Sequence, residues 1–161
     1  MFRIRKKSVA TAMLAVCLSA GVQVAFAQDY HTHHGGGAAQ LTLNNGKKWA
    51  TDNNLRQGME NIRDALAAEL PTIHSGKASV EQYHALAKKV NDQITFMVQN
   101  CKLDKEADAM LHLVLTELIA GADAISGQKG NKAKRQGVEN IIHALEDYAT
   151  YFDHPGWHGV K

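Results

Sequence analysis

Residues 51–161 of the sequence predict an all-α fold, an antiparallel up-down-up-down four-helix bundle, and three observations carry the prediction. Apolar residues recur at alternating spacings of four and three along four segments, which places each set on one side of a helix. Capping residues and glycines bracket the segments. The connections are too short for anything but antiparallel neighbours packed stripe to stripe. The central pair shows this best: Tyr83, Ala87, Val90, Ile94, Met97 and Cys101, then Leu111, Leu115, Leu118, Ala122 and Ile125, hinged at Asn100-Cys101-Lys102-Leu103-Asp104.

The chain opens with a segment that belongs to export and not to the fold. Arg3, Arg5, Lys6 and Lys7 form a basic region, Val9 to Val24 is an apolar run, and Ala25-Phe26-Ala27 is a small-residue cleavage pattern. Residues 1–27 read as a signal peptide cleaved after Ala27, which implies a periplasmic protein. The run is short for a membrane span, and Val16 before Cys17 is too bulky for lipidation. No stable membrane insertion is expected after cleavage. Loss of the segment takes four of the 18 basic residues, leaving 14 against 16 acidic ones. The mature chain is thus slightly acidic and makes no electrostatic case for nucleic acid.

Residues 28–50 form a tail and lead-in. Asp29-Tyr30-His31-Thr32-His33-His34 and Gly35-Gly36-Gly37 offer nothing to pack, so disorder is expected. An Asn44-Asn45-Gly46 turn follows. Thr51 reads as the N-cap of helix 1, whose stripe is Leu55, Met59, Ile62, Leu66, Leu70 and Ile73. Pro71 should kink its last turn and Ser75-Gly76 end it. Ser79 and Gln82 form a capping box for helix 2, which runs to about Cys101. Asp104 caps helix 3, and Gly127 lies just beyond its end. Asn131 reads as the cap of helix 4, whose stripe Val138, Ile141, Leu145, Tyr148 and Phe152 continues until Pro155-Gly156. The terminal Tyr151–His158 stretch, with aromatics around a Pro-Gly turn, is expected to fold back over the bundle end against Trp49. It is either an apolar plug or the lid of a metal site.

Counting heights in an antiparallel bundle gathers candidate ligands at one pole. Met59, Met97, Met110 and Cys101 fall near the hinge between helices 2 and 3. His154 and His158, with His31, His33 and His34, hang from the same end. His112 lies level with Ile94 and, between Leu111 and Leu113, reads as a core or boundary histidine. Soft sulfur donors select Cu(I), while imidazole suits Cu(II) and Zn(II). The competing reading is that Met is the ordinary gap-filler of a helical core. Cys101, the one cysteine left in the mature chain, is open to burial, metal ligation or an intermolecular bridge. His74, His84 and His143 read as surface positions.

Two resemblances bear on these residues. Leu55-Arg56-Gln57-Gly58-Met59-Glu60-Asn61-Ile62 resembles the first helix of the cytochrome b562 family, periplasmic four-helix bundles in which a methionine at this point ligates haem. That resemblance implies Met59 as a b-type haem ligand. The family's second ligand, a histidine late in helix 4, is replaced here by Phe152 or Tyr148, so only Met59 carries over. Gly46-Lys47-Lys48-Trp49-Ala50-Thr51-Asp52, Asn100-Cys101-Lys102-Leu103, Leu111-His112-Leu113-Val114 and Phe152-Asp153-His154-Pro155-Gly156-Trp157 are similar to small exported bacterial proteins of the DnrO type. That likeness bears on compartment and fold, and not on mechanism.

No nucleophile–base pairing, carboxylate pair or phosphate loop is legible, and the Glu-x-x-His pairs of di-iron bundles are absent from inward stripes. The sequence is not expected to encode an enzyme. It points to a periplasmic metal-binding protein handling copper, with the histidines taking Cu(II) or Zn(II) and the sulfur pole taking Cu(I). A b-type haem electron-transfer protein and a ligand-free interaction or stress protein are the alternatives.

Overall fold

The computed structural model describes residues 40–127 and 130–160. The signal segment, its cleavage site and His31, His33 and His34 lie outside the described residues. Four helices follow one another: α1 (Asn53–His74), α2 (Val80–Asn100), α3 (Lys105–Ser126) and α4 (Asn131–Tyr151). Chain neighbours pack closely, α1 on α2, α2 on α3 and most closely α3 on α4. This is a four-helix bundle.

The predicted stripes form its core. Leu55, Met59, Ile62 and Leu66 of α1 are fully buried, as are Val90 and Met97 of α2, Leu118 and Ile125 of α3, and Ile141 and Tyr148 of α4. Each such aliphatic side chain contributes about 1.5–3 kcal/mol by leaving water. By length and composition α3 is apolar enough to cross a membrane. Here it turns Ala107, Leu111, Val114, Leu115, Leu118, Ala122 and Ile125 into the bundle.

Two helix starts differ from expectation. Asp52, not Thr51, caps α1: its Oδ1 accepts from the Leu55 N–H at 2.7 Å, while the Thr51 hydroxyl donates to the Asp153 carbonyl at 2.5 Å. Gly130 precedes α4 as its cap without a side-chain bond, and Asn131 lies inside the helix. The end of α1 is as read: Pro71 lies in its last turn, the helix runs to His74 and Ser75 caps it. The capping box of Ser79 and Gln82 forms as read.

The tightest and loosest seams both involve α4. A Cβ on Gly121 or on Gly137 would lie 2.8 Å from the other's carbonyl oxygen, so α3 and α4 touch backbone to backbone. Beside that crossing, the buried Lys134 ammonium donates to the carbonyls of Ile125 at 2.9 Å and Gly127 at 3.0 Å. It also lies 5.3 Å from the centre of the Tyr83 ring. A cation there satisfies the open carbonyl end of α3 and its dipole. The α1–α4 seam is the widest, and the chain's own end crosses it. Trp49 donates its N–H to Tyr151 and accepts from Asp153, both at 2.8 Å, which ends α4 well before Pro155-Gly156. From Phe152 onward the chain is a strap laid against α1.

Candidate functional site

The pole of the bundle at the α2–α3 hinge is knitted together by Asp52. Its second carboxylate oxygen accepts from the Lys102 N–H at 2.6 Å, and Asn54 donates to the Asn100 carbonyl at 2.8 Å. Start of α1, hinge and strap therefore share this end. Trp49 sits beneath them, its indole N–H bonded to the Thr42 carbonyl at 2.6 Å.

The sulfur atoms at this pole serve packing. Met59 and Met97 have no exposed surface. The Met97 side chain lies across Gly58, where an added Cβ would sit 2.4 Å from its Cγ and 2.6 Å from its Sδ. Met110 is half-buried on the flank of α3, with its sulfur 3.7 Å from the Thr42 hydroxyl. Cys101 is half-buried and free. Burial first, then the Asp52 carboxylate, pushes its thiol up to about 12, so it stays protonated at neutral pH. Of the four sulfurs expected to take Cu(I), Met59 and Met97 lie inside the core, while Met110 and Cys101 reach its edge. Two of the four are sealed because a thioether on the inward stripe is chiefly an apolar filler.

Among the described residues, the strap supplies the one buried imidazole. The His154 side chain is 2% exposed, and both ring nitrogens are engaged. Nε2 lies 3.1 Å from the Glu60 carboxylate and Nδ1 lies 2.9 Å from the Tyr148 hydroxyl. A carboxylate only accepts, so Nε2–H donates to Glu60 and the Tyr148 hydroxyl donates to Nδ1. This tautomer is an assignment from partners. Desolvation draws the His154 pKa below its ordinary value, opposed by the hydrogen bond and charge of Glu60 and aided by Arg56 and Arg63. Burial pushes the Tyr148 hydroxyl upward, with the nearby Glu60, Cys101 and Asp52 adding to it against Arg56, so it remains a donor. A carboxylate, an imidazole and a hydroxyl in line resemble a nucleophilic relay. With Tyr148 wholly buried and held protonated, the relay fixes proton positions and leaves no exposed attacking atom.

Aromatic rings close around it. Tyr148 stacks on Phe152 at 5.3 Å and meets the edge of Trp157 at 5.0 Å, and Arg63 lies over Trp157 at 5.2 Å. The strap thus packs as an apolar plug around His154, a buried residue with both ring nitrogens engaged. His158 is exposed, its carbonyl 3.4 Å from Arg63. His112, expected in the core or at a boundary, is instead exposed and turned back to the Asp108 carbonyl at 2.8 Å. Among the described residues no three His, Cys, Asp or Glu side chains gather as a metal would need. The site partners that sequence reasoning missed are Glu60 and Tyr148. The available signal was simple: a histidine two places beyond the Phe152 stripe must be satisfied if the strap packs, and Glu60 stands next to Met59.

Compared with family models, curated proteins and solved structures, the chain matches none, so the bundle and its pole rest on their own geometry.

Proposed function

We propose that this is an exported, non-enzymatic metal-binding protein in which capture belongs to His31, His33 and His34 and the bundle serves as the folded carrier. The observation that carries the reading is three imidazoles within four residues, a spacing that lets neutral rings converge on one Cu(II) or Zn(II) ion. The bundle's own donors support this division of labour. His154 has both nitrogens committed, Met59 and Met97 are sealed, and the Cys101 thiol holds its proton. Haem b as the cofactor would require an open face at Met59, which is fully buried, and a second ligand at the strap, where His154 is engaged.

The test is a competition titration of untagged protein beginning at Gln28 with Cu(II), Zn(II) and Cu(I), beside the variant His31→Ala/His33→Ala/His34→Ala. The expected result is stoichiometric Cu(II) or Zn(II) binding that the triple variant loses, with unchanged helical content. Retained affinity in the triple variant, or no binding in either protein, overturns the reading. The second outcome leaves a ligand-free interaction protein.

A further inference from the structure

We infer that Asn45-Gly46 is a self-modifying site: the Gly46 nitrogen closes on the Asn45 side chain, the residue becomes isoaspartate, and the lead-in is released from Trp49. This is independent of metal capture. It is the one Asn-Gly pair in the sequence. A glycine successor brings no Cβ to the attacking nitrogen, which can then approach the side-chain carbon closely. Asn44 aside, every other asparagine of the sequence lies in a helix, and each is followed by a residue with a side chain. Asn45 and Gly46 are both exposed, with φ of 51° and 82°. Positive φ at two successive positions is the tip of a type I′ hairpin.

Little holds that tip closed. The Asn44 N–H donates to the Lys47 carbonyl at 2.8 Å and the Lys47 N–H to the Asn44 carbonyl at 2.9 Å. The Asn45 amide donates to Asn44 Oδ1 at 3.1 Å, an exposed bond that water replaces. The Gly46 N–H makes no hydrogen bond among the described residues, and the space beside its Cα is open. A tip without buried side chains opens locally at small cost. Rotation about the Asn45 Cα–C bond then carries the Gly46 nitrogen to Asn45 Cγ. The N–Cγ bond forms, the Cγ–Nδ2 bond breaks, and Nδ2 leaves as ammonia with the Gly46 amide proton, which yields a five-membered imide. Water opens the ring. Attack at Cγ gives an ordinary aspartate linkage. Attack at the more electrophilic backbone carbonyl gives isoaspartate, whose main chain runs through Cβ and Cγ and whose α-carboxylate is free. The extra main-chain carbon spoils a two-residue turn and with it the pairing of Asn44 with Lys47. Upstream of the turn, the Thr42 carbonyl accepts from the Trp49 indole N–H at 2.6 Å, and this is the contact that loosens. The backbone bonds of Trp49 to Tyr151 and Asp153 lie downstream of the turn and keep the strap in place.

For the test, untagged protein beginning at Gln28 is held folded at pH 8 in EDTA for several weeks, beside the variant Asn45→Gln. The readouts are the amide-to-acid mass change in each asparagine peptide and isoaspartate content by carboxyl methyltransferase labelling. Asn45 should lose its amide about tenfold faster than any other asparagine, because it alone precedes a glycine. Isoaspartate should exceed aspartate in the product, and Asn45→Gln should take no label. In the isolated isoaspartate fraction the Trp49 indole N–H resonance should shift and exchange faster with solvent, with helical content unchanged. Asn45→Asp carries the new charge on an ordinary linkage and should leave that resonance in place. An intact Asn45 amide in the folded protein, when the same protein in urea reacts, overturns the site. An unmoved Trp49 indole resonance in the isoaspartate fraction overturns the release of the lead-in.

Discussion

Removing one oxygen from Tyr148 tests whether the strap is held by the imidazole at its centre. Tyr148→Phe keeps the ring that stacks on Phe152 at 5.3 Å and meets Trp157 at 5.0 Å, so packing is conserved. What goes is the donor 2.9 Å from His154 Nδ1, which leaves a buried acceptor on a side chain only 2% exposed. An orphaned buried acceptor costs about 1–3 kcal/mol, equal to a fall of roughly 3–12 °C in melting temperature for a domain of this size. Urea unfolding at pH 7.5 of the single variants Tyr148→Phe and His154→Leu and of the double variant gives the coupling between the two groups. The double variant should lose less than the sum of the singles, because with both polar groups gone nothing is left unpaired. Glu60, half-exposed, turns to water in that variant. A loss below about 0.5 kcal/mol in Tyr148→Phe together with no coupling would refute the reasoning, because His154 would then have its partner elsewhere.

The remaining predictions concern the same scaffold. The folded-state pKa of His154 is depressed, so its contribution to stability is fully present above the unfolded value near 6.5 and is lost as pH falls below it. Urea midpoints at pH 7.5 and pH 5.5 should differ more in the unaltered protein than in His154→Gln. Gly137→Ala should destabilise by about 1–3 kcal/mol, because the new methyl meets the Gly121 carbonyl at 2.8 Å and backbone cannot step aside; thermal melts read the effect. Lys134→Met should cost about 1–3 kcal/mol by stranding the Ile125 and Gly127 carbonyls, and amide exchange should rise first at the end of α3. With a thiol pKa of about 12, Cys101 should react with iodoacetamide at pH 8 about a thousandfold more slowly than a free cysteine and normally in urea.

The fold was legible because each helix carries its own period and its own stops. The stripes of α1 to α4 are buried as read except at Cys101, which is half-buried, and the capping box at Ser79 was written in two residues. Helix ends were less legible where neighbours compete: Thr51 is drawn to Asp153, which leaves the cap of α1 to Asp52, and the pairing with Trp49 ends α4 at Tyr151, short of Pro155-Gly156. The pole was legible as a neighbourhood and not as a chemistry. Heights place Met59, Met97, Met110, Cys101 and His154 near one another, but spacing does not say which atom faces a void and which faces another atom. Glu60 and Tyr148 escaped notice because each reaches His154 from a different segment, 94 and 6 residues away in the chain.

The sequence by itself determined four amphipathic helices and their order, because a 3.6-residue period and short connections leave one compact arrangement. Only the tertiary structure decided that the thioethers are sealed, that the Cys101 thiol keeps its proton and that His154 lies buried between Glu60 and Tyr148. It also decided that α4 presses on α3 and stands off from α1. Burial and hydrogen-bond partnership are properties of what surrounds a side chain. Those surroundings come from residues far apart in the chain, so no local pattern encodes them.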